Sequence, residues 1–171
     1  MSSVDQEYID YIIDFLNDEK VKEMKQYVQH GNTTTYKHCL KVSYYSYKLA
    51  KRFHCDAKDC AIGGLLHDFF LYDWHVKDKE REKEFFLPHG FTHGVVAERN
   101  ARKYFEIDDK CSDIIITHMF PLTIWKVPKF KESYIVLTVD KYLTIAEFFS
   151  GKVKWKKWLS FLDTESFGMV R

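Results

Sequence analysis

The chain has little of what interrupts helices: three prolines and seven glycines in 171 residues. Its apolar residues recur mostly every third or fourth position, so an architecture built mainly on strands is excluded and all-α is the expected fold class. No run approaches the roughly 20 apolar residues a membrane helix needs. The stretch MSSVDQEYIDYIIDFL carries acids where a secretory signal would carry Lys or Arg. The expectation is a soluble, cytoplasmic protein with no membrane span. Neither charge sign is in excess: 26 Lys and Arg face 25 Asp and Glu, which excludes the global basic field behind stable nucleic-acid binding. Cys39, Cys55, Cys60 and Cys111 form no C-x-x-C pair. Neither a thiolate zinc site nor a disulfide framework is expected, and they read as reduced, separately packed thiols.

What is present is a core: 46% of residues are hydrophobic and 17% aromatic, enough for one filled domain. The aromatic richness suits a homodimer face as well as a core. Tyr8, Ile12, Phe15 and Leu16 make a first helical stripe, and Val21, Met24, Tyr27 and Val28 a second that stops at Gly31. NTTTYKHCLKVSYYSYKLAKRF opens on threonines suited to an N-cap and predicts a helix to about Phe53, with His38 on an early turn. Asp56 and Asp59 resemble a capping arrangement for a helix that carries Cys60, Ile62, Leu65 and Leu66 inward and ends near His67 and Asp68. Residues 75–86 are almost wholly charged and read as a solvated segment. After a break at Pro88 and Gly90, Thr92 is placed to cap a helix through Phe105, and Asp108 or Asp109 another through His118. A last helix is predicted from about Ser133 to Phe149.

The run GGLLHDFFLY, residues 63–72, sets an imidazole and a carboxylate side by side among apolar neighbours. A buried carboxylate requires neutralisation, an ion pair or a metal. The same oddity recurs: His38, His67 with Asp68, His118 and Asp140 are each good metal ligands on otherwise apolar helix faces. His93 begins a helix whose inward face continues with Val96 and Ala97. Imidazole and carboxylate donors without thiolate suit iron, manganese, zinc or nickel.

The ordered set H…HD…H…H…D, realised as His38, His67-Asp68, His93, His118 and Asp140 on successive helices, resembles the HD-domain superfamily of metal-dependent phosphohydrolases. The resemblance spans about residues 33–150. It implies a single-domain helical bundle of some six to eight helices, with 4–30 and 151–171 as packing extensions. It implies one metal held by His38, His67, Asp68 and Asp140, and a second shared through Asp68 with His93 and His118. Two divalent ions are therefore expected, with iron or manganese favoured over zinc or nickel. The implied reaction is in-line attack of an activated hydroxide on phosphorus in a small phosphorylated substrate, most naturally a nucleotide or dinucleoside polyphosphate. A di-iron oxygenase on the same scaffold and a non-catalytic metal-stabilised module are the competing readings.

Two further residues are candidates for the chemistry beside Asp68. Lys41, one turn after His38, is within reach of a substrate phosphate or is a solvated helix lysine. His89 is read as part of a loop leading into the His93 helix, supporting the ligands, exchanging protons or merely exposed. Lys141 is a weaker candidate, because neighbouring helical residues face apart. His30, His54 and His75 are read as solvated. Trp155, Trp158, Leu159 and Leu162 would share one helical face among four lysines, which suits a docking helix, a dimer contact, a lid or an anionic membrane surface.

Overall fold

Most helices begin where a short side chain accepts from an otherwise orphaned backbone N–H. A computed structural model describes residues 5–30, 33–76 and 87–150. Asp5 caps α1 (Gln6–Asn17) at Glu7, and Asp18 caps α2 (Glu19–Glu23) at Lys20 and Val21. Thr34 caps α3 (Thr35–Arg52) at Lys37, and Asp56 caps α4 (Ala57–Leu66) at Asp59. α5 (His89–Tyr104) starts after Pro88, Asp108 caps α6 (Asp109–Thr117) at Cys111, and α7 spans Lys131–Ser150. Asp113 of α6 receives the Lys129 N–H at 2.9 Å and the Ser133 hydroxyl at 2.6 Å, which fastens the entry to α7. These are seven α-helices among the described residues, an all-α fold.

Two local expectations are corrected. The second apolar stripe is not one helix to Gly31: α2 ends at Glu23, a 3-10 turn follows at Met24–Gln26, and β1 (Val28–His30) pairs antiparallel with β2 (Thr33–Thr34). Tyr27 has already left the helical region, with φ −101° and ψ 134°. From there successive side chains alternate, so Val28 is exposed and Gln29 buried. The β-branched threonines after Gly31-Asn32 were the strand signal. The second correction is that α5 begins at His89, three residues before Thr92 is reached. Pro88 has φ −57°, compatible with helix entry, and proline needs no N–H there. The Thr92 hydroxyl bonds back to the Pro88 and His89 carbonyls instead of capping.

Two apolar clusters flank the α3–α4 pair. One gathers Tyr8, Ile12 and Leu16 of α1 with Leu40 and Tyr47 of α3, Leu65 and Leu66 of α4, and Ala97 of α5. The other gathers Val42 of α3, Cys60 of α4, Ile114 of α6 and Val136, Val139 and Leu143 of α7. α4 lies between them and is buried on nearly every side, which is why its sequence, AKDCAIGGLL, is not amphipathic. Its glycines allow close approach: a Cβ on Gly64 would stand 2.9 Å from the Ser43 Cα, and one on Gly63 2.6 Å from the Ile114 Cγ2. No helix among the described residues is long and apolar enough to cross a membrane. The charged stretch 77–86 and the Trp155, Trp158, Leu159 and Leu162 segment lie outside the described residues.

Candidate metal centre

Packing around α4 turns one residue or pair from each of five helices or helix ends towards a single buried point. His38 comes from the second turn of α3, His67 and Asp68 from the end of α4, His93 from α5, His118 from the end of α6 and Asp140 from the middle of α7. All six are buried. Donor atoms of His38, His67 and Asp140 lie within 4.8 Å of one another, as do those of Asp68, His93 and His118. Asp68 stands between the two groups. Its Oδ2 is 3.3 Å from the His67 Nε2, while its Oδ1 is 3.3 Å from the His93 Nε2 and 3.5 Å from the His118 Nε2. Asp140 Oδ1 lies 3.1 Å from the His38 Nε2 and 3.7 Å from the His67 Nε2.

The imidazoles are oriented by what holds their other nitrogen. The Nδ1 of His67 is 2.8 Å from the Gly64 carbonyl, that of His93 2.8 Å from the His89 carbonyl and that of His118 2.7 Å from the Ile115 carbonyl. A carbonyl only accepts, so each Nδ1 carries a proton and each ring, when neutral, presents its lone pair at Nε2. The consequence is sharpest between His93 and His118, whose Nε2 atoms are 2.8 Å apart. Two lone pairs at that separation repel unless they share a cation. Burial also pushes His93 down to about 3, so its ring is neutral at ordinary pH. The His67 Nε2 and the Asp68 Oδ1 are buried with no hydrogen-bond partner. Convergent lone pairs, orphaned buried atoms and flanking carboxylates fit divalent metal, and Nδ1–H bonds to carbonyls are the usual support of histidine ligands.

Electrostatics point the same way. Burial opposes ionisation of Asp68, but the neighbouring imidazoles of His67, His118 and His93 outweigh it and hold the carboxyl well below its usual range. Burial likewise opposes ionisation of Asp140, and the neighbouring imidazoles of His38 and His67 overcome it. Burial pushes the His67 imidazole down, yet the Asp68 charge carries it well above its ordinary value. The centre thus keeps two buried carboxylates charged and recruits positive charge to face them.

Several neighbours complete the geometry. Gln29, which sequence reasoning missed, donates to the Asp68 Oδ2 at 2.6 Å and receives the Thr35 hydroxyl at 3.1 Å. Lys41 is buried, its ammonium 2.6 Å from the Glu147 carboxylate. Glu147 also lies 3.2 Å from the His38 Nδ1. Glu147 was missed too, although it stands two turns beyond Asp140 in the same apolar run. Lys141 reaches the Asp140 Oδ2 at 3.0 Å: its four-carbon stem folds back although the two residues are adjacent, and it stays 38% exposed. His89 lies in the first turn of α5, its Nδ1 2.9 Å from the Tyr72 hydroxyl and its ring stacked on His93 at 4.6 Å and on Trp74 at 5.2 Å. Cys39 is buried within reach of His67 and Asp68, and burial raises its thiol, which keeps it protonated. His54 and His75 are exposed.

Comparison with curated proteins and with solved structures gives no match. A family model described as HD domain matches residues 35–144, from the first residue of α3 into α7, and so encloses all six buried donors. The chain belongs to the HD domain family, within a superfamily of metal-dependent hydrolases that bind divalent metals.

Proposed function

We propose that this chain is a metal-dependent phosphohydrolase that cleaves a phosphoester or phosphoanhydride of a nucleotide or dinucleoside polyphosphate. The observation that carries the reading is Asp68, one carboxylate with an oxygen turned to each of two donor groups. His38, His67, Asp68 and Asp140 would hold one ion, and Asp68, His93 and His118 the other. When bound, such ions supply an activated water and neutralise phosphoryl oxygens. The protein's own part is positional. Gln29 fixes one oxygen of Asp68, and backbone carbonyls fix three imidazoles with their lone pairs inward. Lys141 is a partly exposed cation beside Asp140, suited to meet a phosphate. Phe70, Tyr72, Trp74 and His89 line the His93 side with aromatic rings, a surface that suits a nucleoside better than a simple sugar phosphate.

The test is phosphate release from a panel of nucleotides, dinucleoside polyphosphates and sugar phosphates, supplied anaerobically with iron or manganese. Selective turnover of nucleotide substrates is expected. Silence across the panel with metal bound would overturn the reading in favour of oxygen chemistry or a structural metal. His89→Ala is expected to retain its metal and to lose turnover by about 100-fold or more, the usual range for a proton-transferring group. Loss of metal in that variant would instead make His89 a support for the His93 ring on which it stacks.

A further inference from the structure

We infer that Glu147 is a positioning residue that orients His38 for metal binding, with Lys41 as its buried counter-ion. The inference rests on the metal-centre reading above. Where three imidazoles of the centre donate to the carbonyl of their own preceding turn, His38 is held by a side chain from another helix. Glu147 Oε2 is 3.2 Å from the His38 Nδ1, and Asp140 Oδ1 is 3.1 Å from the Nε2 on the other side of the ring. A carboxylate on the Nδ1 edge cannot share an ion bound at Nε2, so Glu147 acts through the imidazole. An anionic acceptor makes the ring a stronger donor to metal than a carbonyl would.

The other oxygen of Glu147 lies 2.6 Å from the Lys41 ammonium, and the two side chains are only 7% and 5% exposed. A charge that deep needs a partner, and a lone glutamate facing His38 would be driven towards its neutral form. Lys41 therefore serves the glutamate, and the partly exposed position beside Asp140 falls to Lys141. The pair also closes the chain over 106 residues, tying the far half of α7 to the start of α3.

The test is Mn(II) affinity of the full chain, by competition with a chromophoric chelator, together with the visible spectrum of the Co(II) form. Glu147→Ala is expected to weaken binding by about 10- to 100-fold and to shift the Co(II) bands. Glu147→Gln keeps an acceptor for the His38 N–H, and so should fall between Glu147→Ala and the native chain. It also serves if the alanine variant does not fold. Lys41→Met is expected to lower metal affinity. Unchanged affinity in both Glu147 variants, with loss in His38→Ala, would overturn the inference alone. A Lys41→Met protein with native metal affinity and a raised KM would return Lys41 to the substrate and remove its counter-ion role. If His38→Ala itself binds metal normally, the metal-centre reading falls as well.

Discussion

Asp68→Ala is expected to lose both retained metal and all turnover above background. Every other donor of the centre serves one group, whereas Asp68 faces His67 with one oxygen and His93 and His118 with the other. Its removal leaves the Nε2 atoms of His93 and His118, 2.8 Å apart, without an anion to offset the charge of any ion placed between them. It also frees the Gln29 amide, which then has no acceptor at 2.6 Å. Asp68→Asn separates charge from shape, because the amide fills the same volume yet cannot bridge as an anion. Elemental analysis after gel filtration, alongside phosphate release, provides the measurement. A variant that carries full metal and works at the native rate would sink the assignment.

Gly64→Ala is expected to be the most damaging single methyl group in the fold. The added Cβ would meet the Ser43 Cα at 2.9 Å, the Ser43 N at 3.0 Å and the Val42 carbonyl carbon at 3.2 Å. All three are backbone atoms of α3 and cannot rotate away, so the helices must separate. Overpacking of this kind costs about 3 kcal/mol at the upper end of its usual range. The effect reaches the centre, because the Gly64 carbonyl receives the His67 Nδ1–H. Urea unfolding should show a lower midpoint with an unchanged slope. Gly63→Ala meets only the Ile114 side chain, which can shift, and should cost less. Gly90→Ala meets nothing nearer than the Leu122 Cδ2 at 3.6 Å and should be neutral or stabilising through helix propensity. A native midpoint for Gly64→Ala would refute the close approach.

The legible parts of the sequence were those whose physics is local. Thr34, Asp56 and Asp108 announce helix starts because a cap needs only a side-chain oxygen and an N–H two or three residues on. His38, His67 with Asp68, His118 and Asp140 stood out as polar groups on apolar stripes, and the fold brings them together with His93. What escaped depends on distance along the chain. Gln29 meets Asp68 only because a short hairpin turns it inward, and periodicity had extended a helix across that hairpin. Lys41 could not be told from a solvated lysine, since its partner lies 106 residues on. His89 was read into a loop because Pro88 and Gly90 are breakers in general, whereas proline before a first turn favours a helix.

The contact between His38 and Asp140 closes a span of 102 residues, and α7 supplies its second half. Pairings so remote form late in folding, after the entropy of a long loop has been overcome. On a ribosome, five of the six donors emerge before Asp140 is made. A nascent chain therefore displays imidazoles and a carboxylate that would bind whichever ion is most competitive. Only when α7 packs against α3 does the enclosure impose its own geometry. On the proposed ligand set, metal choice would thus belong to the finished fold, and an ion captured during synthesis would be exchanged or trapped at that last closure.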